Sequence, residues 1–145
     1  MIGIWLGRTI RSKAAEVRKS YEELFEILRM KFSIIDEDSI CCGYPLEIIG
    51  AKREMQIVIN RVKSLIKPYN IVITPRPGCY KMLRTYLPSY VIKHTTEFLI
   101  RYRRDIKKLL KPLNIIVTYH DPCDLTRYLK HIRGIENVDK DDSRY

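Results

Sequence analysis

Short apolar runs alternate along this chain with longer stretches in which apolar residues recur every three or four positions. The short runs have the length and composition of β-strands, and the longer stretches have the spacing of amphipathic helices. This alternation predicts an α/β fold: a three-layer, Rossmann-like domain with a mainly parallel sheet of about five strands and flanking helices. The predicted strands are Met1–Leu6, Phe32–Ile35, Asn70–Thr74, Tyr90–Lys93 and Asn114–Tyr119.

The predicted helices fill the intervals between these strands. We expect one α/β domain over residues 1–133, and a polar, loosely ordered tail over residues 134–145 because that segment lacks apolar periodicity. The helices are predicted from Ser12 to about Lys31, from Leu46 to Lys67, from Cys79 to about Leu87, from Thr95 to about Leu110, and from Cys123 to about His131.

Reactive and charged side chains follow the predicted strands directly. Parallel strands end at the same edge of a sheet, and ligands of open α/β sheets bind at that edge. We therefore expect these side chains to gather there, although they are far apart in the sequence. They are Arg8, Cys41, Cys42, Arg76, Cys79, His94, His120 and Cys123.

The chain is basic, with 27 Lys and Arg against 17 Asp and Glu and a formal net charge of +10. Abundant Ile, Lys, Arg and Glu with a single Gln favour the charged surface of a thermophile protein over an acidic partner. Basic nucleic-acid binding through the stretch 101–111 stays an alternative. No apolar run is long enough to cross a membrane, so we expect a cytoplasmic protein, whose four cysteines are ligands or redox groups rather than disulfides.

Four motifs resemble the cysteine-rich CCG domain family, which includes the B subunit of heterodisulfide reductase. They are Cys-Cys-Gly at 41–43, Pro-Gly-Cys at 77–79, the segment 94–99, and the segment 119–127, and the resemblance extends to about residue 130. It implies an oxidoreductase of the electron-transfer or thiol-redox kind, acting as a subunit of a larger redox complex. Family members typically carry two such domains in tandem. Each domain has a cysteine after the first strand, a Cys-Cys pair and a Cys-x-x-Cys motif, which bind an iron–sulfur cluster or, in some members, zinc.

The chain departs from this family pattern at two expected ligands. Arg8 stands where the first cysteine is expected, and Arg76 opens the Cys-x-x-Cys motif. A guanidinium has no lone pair to donate to a metal and stays charged, so an intact family cluster is disfavoured. Cys123 matches the first cysteine of a second domain, which predicts that a homodimer or another redox subunit supplies the missing half.

Three interpretations of the site stay open. In the first interpretation the site binds zinc. Its tetrahedral donor set is Cys41, Cys42 and Cys79 with His94 or His120.

In the second interpretation, Arg8 and Arg76 stabilise thiolates, and Cys79 at a helix N-terminus is the best candidate for a redox or sulfur-carrying nucleophile, assisted by Cys41 and Cys42. In the third, Arg8 and Arg76 bind an anion in a non-catalytic interaction module. Without the family, His94 and His120 are more simply explained as partners of nearby backbone at strand ends.

Overall fold

The structure is a computed structural model and describes residues 1–35, 40–112, 115, 116, 118, 120 and 122–128. Its centre is a sheet of parallel strands in the order β2-β1-β3-β4. The register sets Ile4 of β1 beside Ile34 of β2 and Ile73 of β3, and Thr74 of β3 beside His94 of β4. The predicted α/β fold with a parallel sheet is confirmed. The strands are β1 (Ile2–Ile4), β2 (Phe32–Ile34), β3 (Ile71–Thr74) and β4 (Ile92–His94).

The sheet has four strands in the part of the chain that the structure describes, rather than about five. Half of the predicted fifth strand, Asn114–Tyr119, lies outside the described residues, and positions 115, 116 and 118 are not in a strand. The predicted tail, residues 134–145, also lies outside them.

Helices follow every strand of the sheet. Among the described residues, no helix is long and apolar enough to cross a membrane. The helices are α1 (Gly7–Lys13), α2 (Ala15–Ile27), α3 (Tyr44–Ile48), α4 (Lys52–Ile66), α5 (Pro77–Tyr86), α6 (Thr95–Leu99) and α7 (Arg103–Leu109), with a 3-10 turn at Ile100–Tyr102 and a π-helical turn at Asp124–Tyr128.

Two predicted long helices are each divided by a break, and a third, Thr95 to about Leu110, is interrupted by the 3-10 turn at Ile100–Tyr102. The first begins at Gly7 instead of Ser12 and breaks at Ala14, whose φ of −146° is not helical. Ser12 does not cap a helix, because it lies within α1 and its hydroxyl donates to the Arg8 carbonyl. The second breaks at Gly50, whose φ of 73° lies in the left-handed region that glycine readily adopts. Apolar spacing continued across both breaks and therefore concealed them.

Two apolar clusters lie on opposite faces of the sheet, which gives the predicted three layers. Ile4 and Leu6 point into the cluster formed with α1, α2 and α6, whereas Trp5 between them points into the cluster formed with α4 and α5. This alternation follows from the two-residue period of extended chain. Cys42 and Cys79 belong to the Trp5 face, so the thiols lie between the sheet and α4–α5.

Candidate functional site

A cavity of about 160 Å³ lies at the carboxyl end of the sheet. From β1 the chain passes to β2 on one side and then returns to β3 on the other, so the turns that follow β1 and β3 diverge. Crevices at such a switch point bind ligands in open α/β sheets. The cavity is lined by Arg8, Thr9, Cys41, Cys42, Tyr44, Pro45, Arg76 and Cys79.

The turn after β1 approaches Cys79 closely. Gly7 has a φ of 74°, and a Cβ at this position would lie 3.0 Å from Cys79 Sγ and 3.1 Å from Arg76 Cδ. A side chain at Gly7 would therefore be strained by the backbone and would press on the sulfur. Glycine lets the first turn form one wall of the thiol site.

Arg76 joins the two turns that flank the cavity. It is the N-cap residue of α5, and its Nη1 donates to Thr9 Oγ1 at 2.7 Å. Its side chain is half-buried, whereas Arg8 is exposed. The guanidinium of Arg76 is thus held beside Cys79 instead of extending into solvent.

The Cys41–Cys42 pair enters the cavity just before α3. Arg11 Nη2 donates to the Ile40 carbonyl at 2.6 Å, which ties the start of the pair to α1. Gly43 follows with a φ of 88° and is the N-cap residue of α3. These contacts turn the chain sharply, so that Cys41 is half-buried and Cys42 is buried.

Hydrogen bonds between the three thiols give them different acidities. A bond to Cys42 raises the pKa of Cys41, and burial adds to this rise. For Cys42, the bond from Cys41 lowers the pKa, but the bond to Cys79 and burial outweigh it and raise the pKa to about 12. A hydrogen bond lowers the pKa of a thiol when its thiolate form accepts the bond. It raises the pKa when the neutral thiol donates the bond. Cys42 therefore interacts with both Cys41 and Cys79, and of these three thiols only Cys79 has its pKa lowered.

Cys79 is the cavity thiol whose pKa is lowered. The bond from Cys42 lowers its pKa; burial opposes this, while the Arg76 charge and the indole of Trp5 lower it further. Cys79 also lies at the third residue of α5, where the helix dipole favours an anion. Among the three cavity thiols, Cys79 is the one whose thiolate the surroundings stabilise.

The structure places His94 outside the cavity. Its Nδ1 contacts Thr96 Oγ1 at 2.8 Å and its Nε2 contacts the Pro75 carbonyl oxygen at 3.2 Å. Its backbone N–H donates to Glu97 Oε2 at 3.0 Å, which completes a capping box at the start of α6. His94 therefore makes the strand-end contacts that the simpler interpretation expected.

His120 and Cys123 are exposed and do not line the cavity. Of the eight residues expected at this edge, the structure brings five together: Arg8, Cys41, Cys42, Arg76 and Cys79. The metal roles of His94 and His120 stay predictions.

A model of the cysteine-rich (CCG) domain family matches residues 4–84. The chain belongs to this family. The match runs from the last residue of β1 into α5 and so includes every turn that lines the cavity. The family resemblance predicted from the four motifs is confirmed.

Curated relatives include components of redox enzymes from methanogens. The chain is 30% identical, over 87% of its length, to the B subunit of the fumarate reductase (CoM/CoB) of Methanothermobacter marburgensis. It is 30% identical, over 81% of its length, to the D subunit of the dihydromethanophenazine:CoB–CoM heterodisulfide reductase of Methanosarcina barkeri. An EtfAB:quinone oxidoreductase of Syntrophomonas wolfei is 27% identical over 68% of the chain.

The matched region is a small part of each relative. It spans 26% of the Methanothermobacter protein, 34% of the Methanosarcina protein and 15% of the Syntrophomonas protein. No solved structure matches the chain.

The residues at the cavity do not fit the iron–sulfur cluster that the family pattern implies. Three sulfurs line the cavity, but guanidinium groups stand at the two other expected ligand positions, and they cannot coordinate iron. Within the described ranges, no group of three or more His, Cys, Asp and Glu side chains is arranged to hold a metal ion.

Three residues of the site were not predicted from the sequence. Thr9 anchors Arg76, the ring of Tyr44 lies 3.2 Å from where a Cβ on Gly78 would be, and Trp5 belongs to the same buried cluster as Cys42 and Cys79. Only Trp5 carried a usable signal, because it is the single tryptophan and alternates with Ile4 and Leu6 at the end of β1.

Proposed function

We propose that this domain is a thiol-redox module that transfers two electrons between its Cys42–Cys79 thiol pair and a disulfide. The observation that supports this most directly is that three thiols, from two separate turns, share one cavity with the guanidinium of Arg76. A thiolate is the nucleophile in thiol–disulfide exchange, and a nearby cation together with a hydrogen-bonded thiol favours it.

Reduction of a disulfide proceeds in two exchanges. The Cys79 thiolate attacks one sulfur of the substrate, the substrate S–S bond breaks, and one thiolate leaves with its electron pair and takes a proton from solvent. Cys42 then attacks Cys79 in the mixed disulfide, its proton passes to the second leaving thiolate, and a Cys42–Cys79 disulfide forms. Two cysteines are oxidised, and the substrate disulfide is reduced to two thiols.

The return to the thiol state needs a reductant. We assign this role to a dithiol of a partner redox protein, which would supply two electrons and two protons by the same exchange. The names of the relatives support this assignment, since several are subunits of larger enzymes and three of these enzymes are heterodisulfide reductases. A disulfide as the substrate class is supported by the same names.

The test uses the whole chain, purified anaerobically and fully reduced, with hydroxyethyl disulfide as the probe. We expect two molecules of mercaptoethanol to be released per chain and an internal Cys42–Cys79 disulfide to form, as read by peptide mass spectrometry. Cys79→Ala should abolish this reaction. Cys123→Ala, which removes an exposed thiol outside the cavity, is the matched control and should react like the native chain.

Two results would overturn the proposal. One is full disulfide reduction by the Cys79→Ala chain. The other is stoichiometric iron with sulfide, or stoichiometric zinc, in the anaerobically purified protein by elemental analysis, because a metal held by these thiols would remove the nucleophile.

A further inference from the structure

Two arginines line the thiol cavity, and no Asp or Glu lines it among the residues that the structure describes. The other lining side chains are thiols and the uncharged Thr9, Tyr44 and Pro45. A single thiolate would offset one of the two positive charges of Arg8 and Arg76, so one would remain. A crevice lined by one sign of charge attracts ligands of the opposite sign. The cavity is therefore suited to an anion.

Arg76 is held at the cavity by a contact that does not neutralise it. Its Nη1 donates to the hydroxyl of Thr9 at 2.7 Å, and this bond uses one of the five N–H donors of the guanidinium. Cys79 Sγ and Arg76 Cδ lie 3.0 Å and 3.1 Å from one point, the place of a Cβ on Gly7. The arginine side chain therefore passes beside the sulfur before it reaches Thr9. An anion bound to this guanidinium would lie only a few bond lengths from Sγ.

Arg8 supplies the second cation, from the first turn of α1. It is exposed and makes no ion pair with another residue of the described ranges, so its donors are open to a ligand. Arg8 and Arg76 stand at the two positions where the family pattern has cysteine ligands. Binding of an anion by this pair is therefore a property of this chain and does not follow from its family.

The cavity is too small to enclose a whole substrate. Its volume of about 160 Å³ is well below the roughly 300 Å³ of the smallest pockets that enclose a small-molecule ligand. It can hold one arm of a substrate beside the reacting sulfur, with the rest of the molecule outside. An anionic group on that arm would meet both guanidinium groups.

We propose that the substrate disulfide carries an oxyanion, such as a carboxylate, a few bonds from its sulfur, and that Arg8 and Arg76 bind this group. The inference rests on the proposed function and names the substrate class for it. A guanidinium binds a carboxylate through paired N–H donors, and such charge-assisted bonds are stronger than those between neutral groups. The two arginines then orient the disulfide so that its nearer sulfur meets Cys79.

Disulfides of similar size but different charge test the proposal. Dithiodipropionate is a dianion, hydroxyethyl disulfide is neutral and cystamine is a dication. Each is mixed with the whole chain, purified anaerobically and reduced, and the rate of thiol release is measured by liquid chromatography. Each rate is divided by the rate of dithiothreitol with the same disulfide, which removes the intrinsic reactivity of the disulfide. Because the same thiol attacks all of them, the ratio of two normalised rates reports recognition.

We expect dithiodipropionate to react about tenfold faster than hydroxyethyl disulfide, and cystamine about tenfold more slowly, after this normalisation. Arg8→Gln and Arg76→Gln should each reduce the preference for the dianion about threefold. Arg104→Gln is the matched control, since it removes the same charge from an exposed residue of α7 that does not line the cavity. It should keep the native preference. Equal normalised rates in the native chain, or an equal loss of preference in Arg104→Gln, would overturn the inference.

Inert probes separate failure of this inference from failure of the proposed function. Thiodipropionate has one sulfur in place of the disulfide and cannot exchange, so calorimetry measures its binding alone. If the native chain reduces no disulfide but binds thiodipropionate, and Arg8→Gln and Arg76→Gln weaken this binding, the redox function fails and the anion-binding role of the arginines stands. If all the disulfides are reduced at equal normalised rates, the function stands and the anion-binding role in substrate recognition fails. Binding of inorganic phosphate without a preference for dithiodipropionate would indicate a site for a free oxyanion and would also overturn the inference.

Discussion

The turns after β3 and β4 lie side by side, yet they present their polar groups very differently. Thr74 and His94 are register neighbours at the ends of these strands, and each strand leads directly into a helix. After β4, the ring and backbone of His94 contact Thr96, Pro75 and Glu97. The turn after β3 instead carries Cys79, whose hydrogen-bonding partners come from other parts of the chain.

The difference shows that position at a strand end does not by itself make a residue functional. Local partners within three residues contact the imidazole Nδ1 and the backbone of His94, so this turn resembles an ordinary helix cap. The pKa of Cys79 depends on Arg76, three residues before it, and also on Cys42 and Trp5, which lie in two other segments that converge here because the strands are parallel. Convergence from distant segments is what distinguishes the β3 turn, and the proposed thiol chemistry depends on it.

Tyr80 connects the two turns. Its hydroxyl donates to Glu97 Oε2 at 2.7 Å and accepts from Arg84 Nη1 at 2.9 Å, and burial followed by the bond to Glu97 raises its pKa to about 12. Its ring lies 5.7 Å from the His94 ring. Since Tyr80 directly follows Cys79, the β4 turn supports the helix that carries Cys79.

The largest effect should come from Cys42, because the proposal assigns it the second exchange. Cys42→Ala should stop the reaction at a mixed disulfide between Cys79 and the substrate, with one mercaptoethanol released per chain instead of two. Intact-protein mass spectrometry detects the adduct directly.

Cys41→Ala is the matched control for this experiment, since it removes the neighbouring thiol but leaves the Cys42–Cys79 pair. It should release two thiols as the native chain does. The opposite result would be a mixed disulfide trapped in Cys41→Ala and the release of two thiols by Cys42→Ala. It would mean that Cys41, and not Cys42, carries out the second exchange.

At the β4 turn, substitutions should lower stability without changing thiol reactivity. Glu97→Ala removes the acceptor for Tyr80 and for the His94 backbone, and we expect the free energy of unfolding in urea to fall by about 2 kcal/mol. His94→Ala removes a capping side chain and should cost about 1 kcal/mol.

The alkylation rate of Cys79 separates the two turns. It should stay within about twofold of the native rate in His94→Ala, because the imidazole does not reach the cavity. A large change in that rate would mean that His94 takes part in the site, as the zinc interpretation requires.

The apolar pattern was sufficient for the four strands of the sheet and their order of appearance, because buried parallel strands are short apolar runs between helices. It did not reveal the breaks at Ala14 and Gly50, since both leave the apolar spacing almost unchanged. Strand-end position predicted the gathering of Arg8, Arg76 and the three cavity thiols. The differences between their pKa values depend on the contacts that each thiol makes in the folded chain, and no spacing rule contains that information.

The smallest effect should distinguish the two arginines of the cavity. Arg76 lowers the pKa of Cys79 by its charge and is held in place by Thr9, whereas Arg8 is exposed. Removing the cation should raise the thiol pKa and move the pH profile of Cys79 alkylation to higher pH. The rate should fall about fivefold near neutrality, as expected for a half-exposed charge pair worth about 1 kcal/mol, and the native and variant rates should converge once both thiols are ionised. Arg76→Gln should show this shift, and Arg8→Gln should show a smaller one. Equal shifts would contradict this difference and would indicate that both guanidinium groups act on the sulfur across the cavity to the same extent.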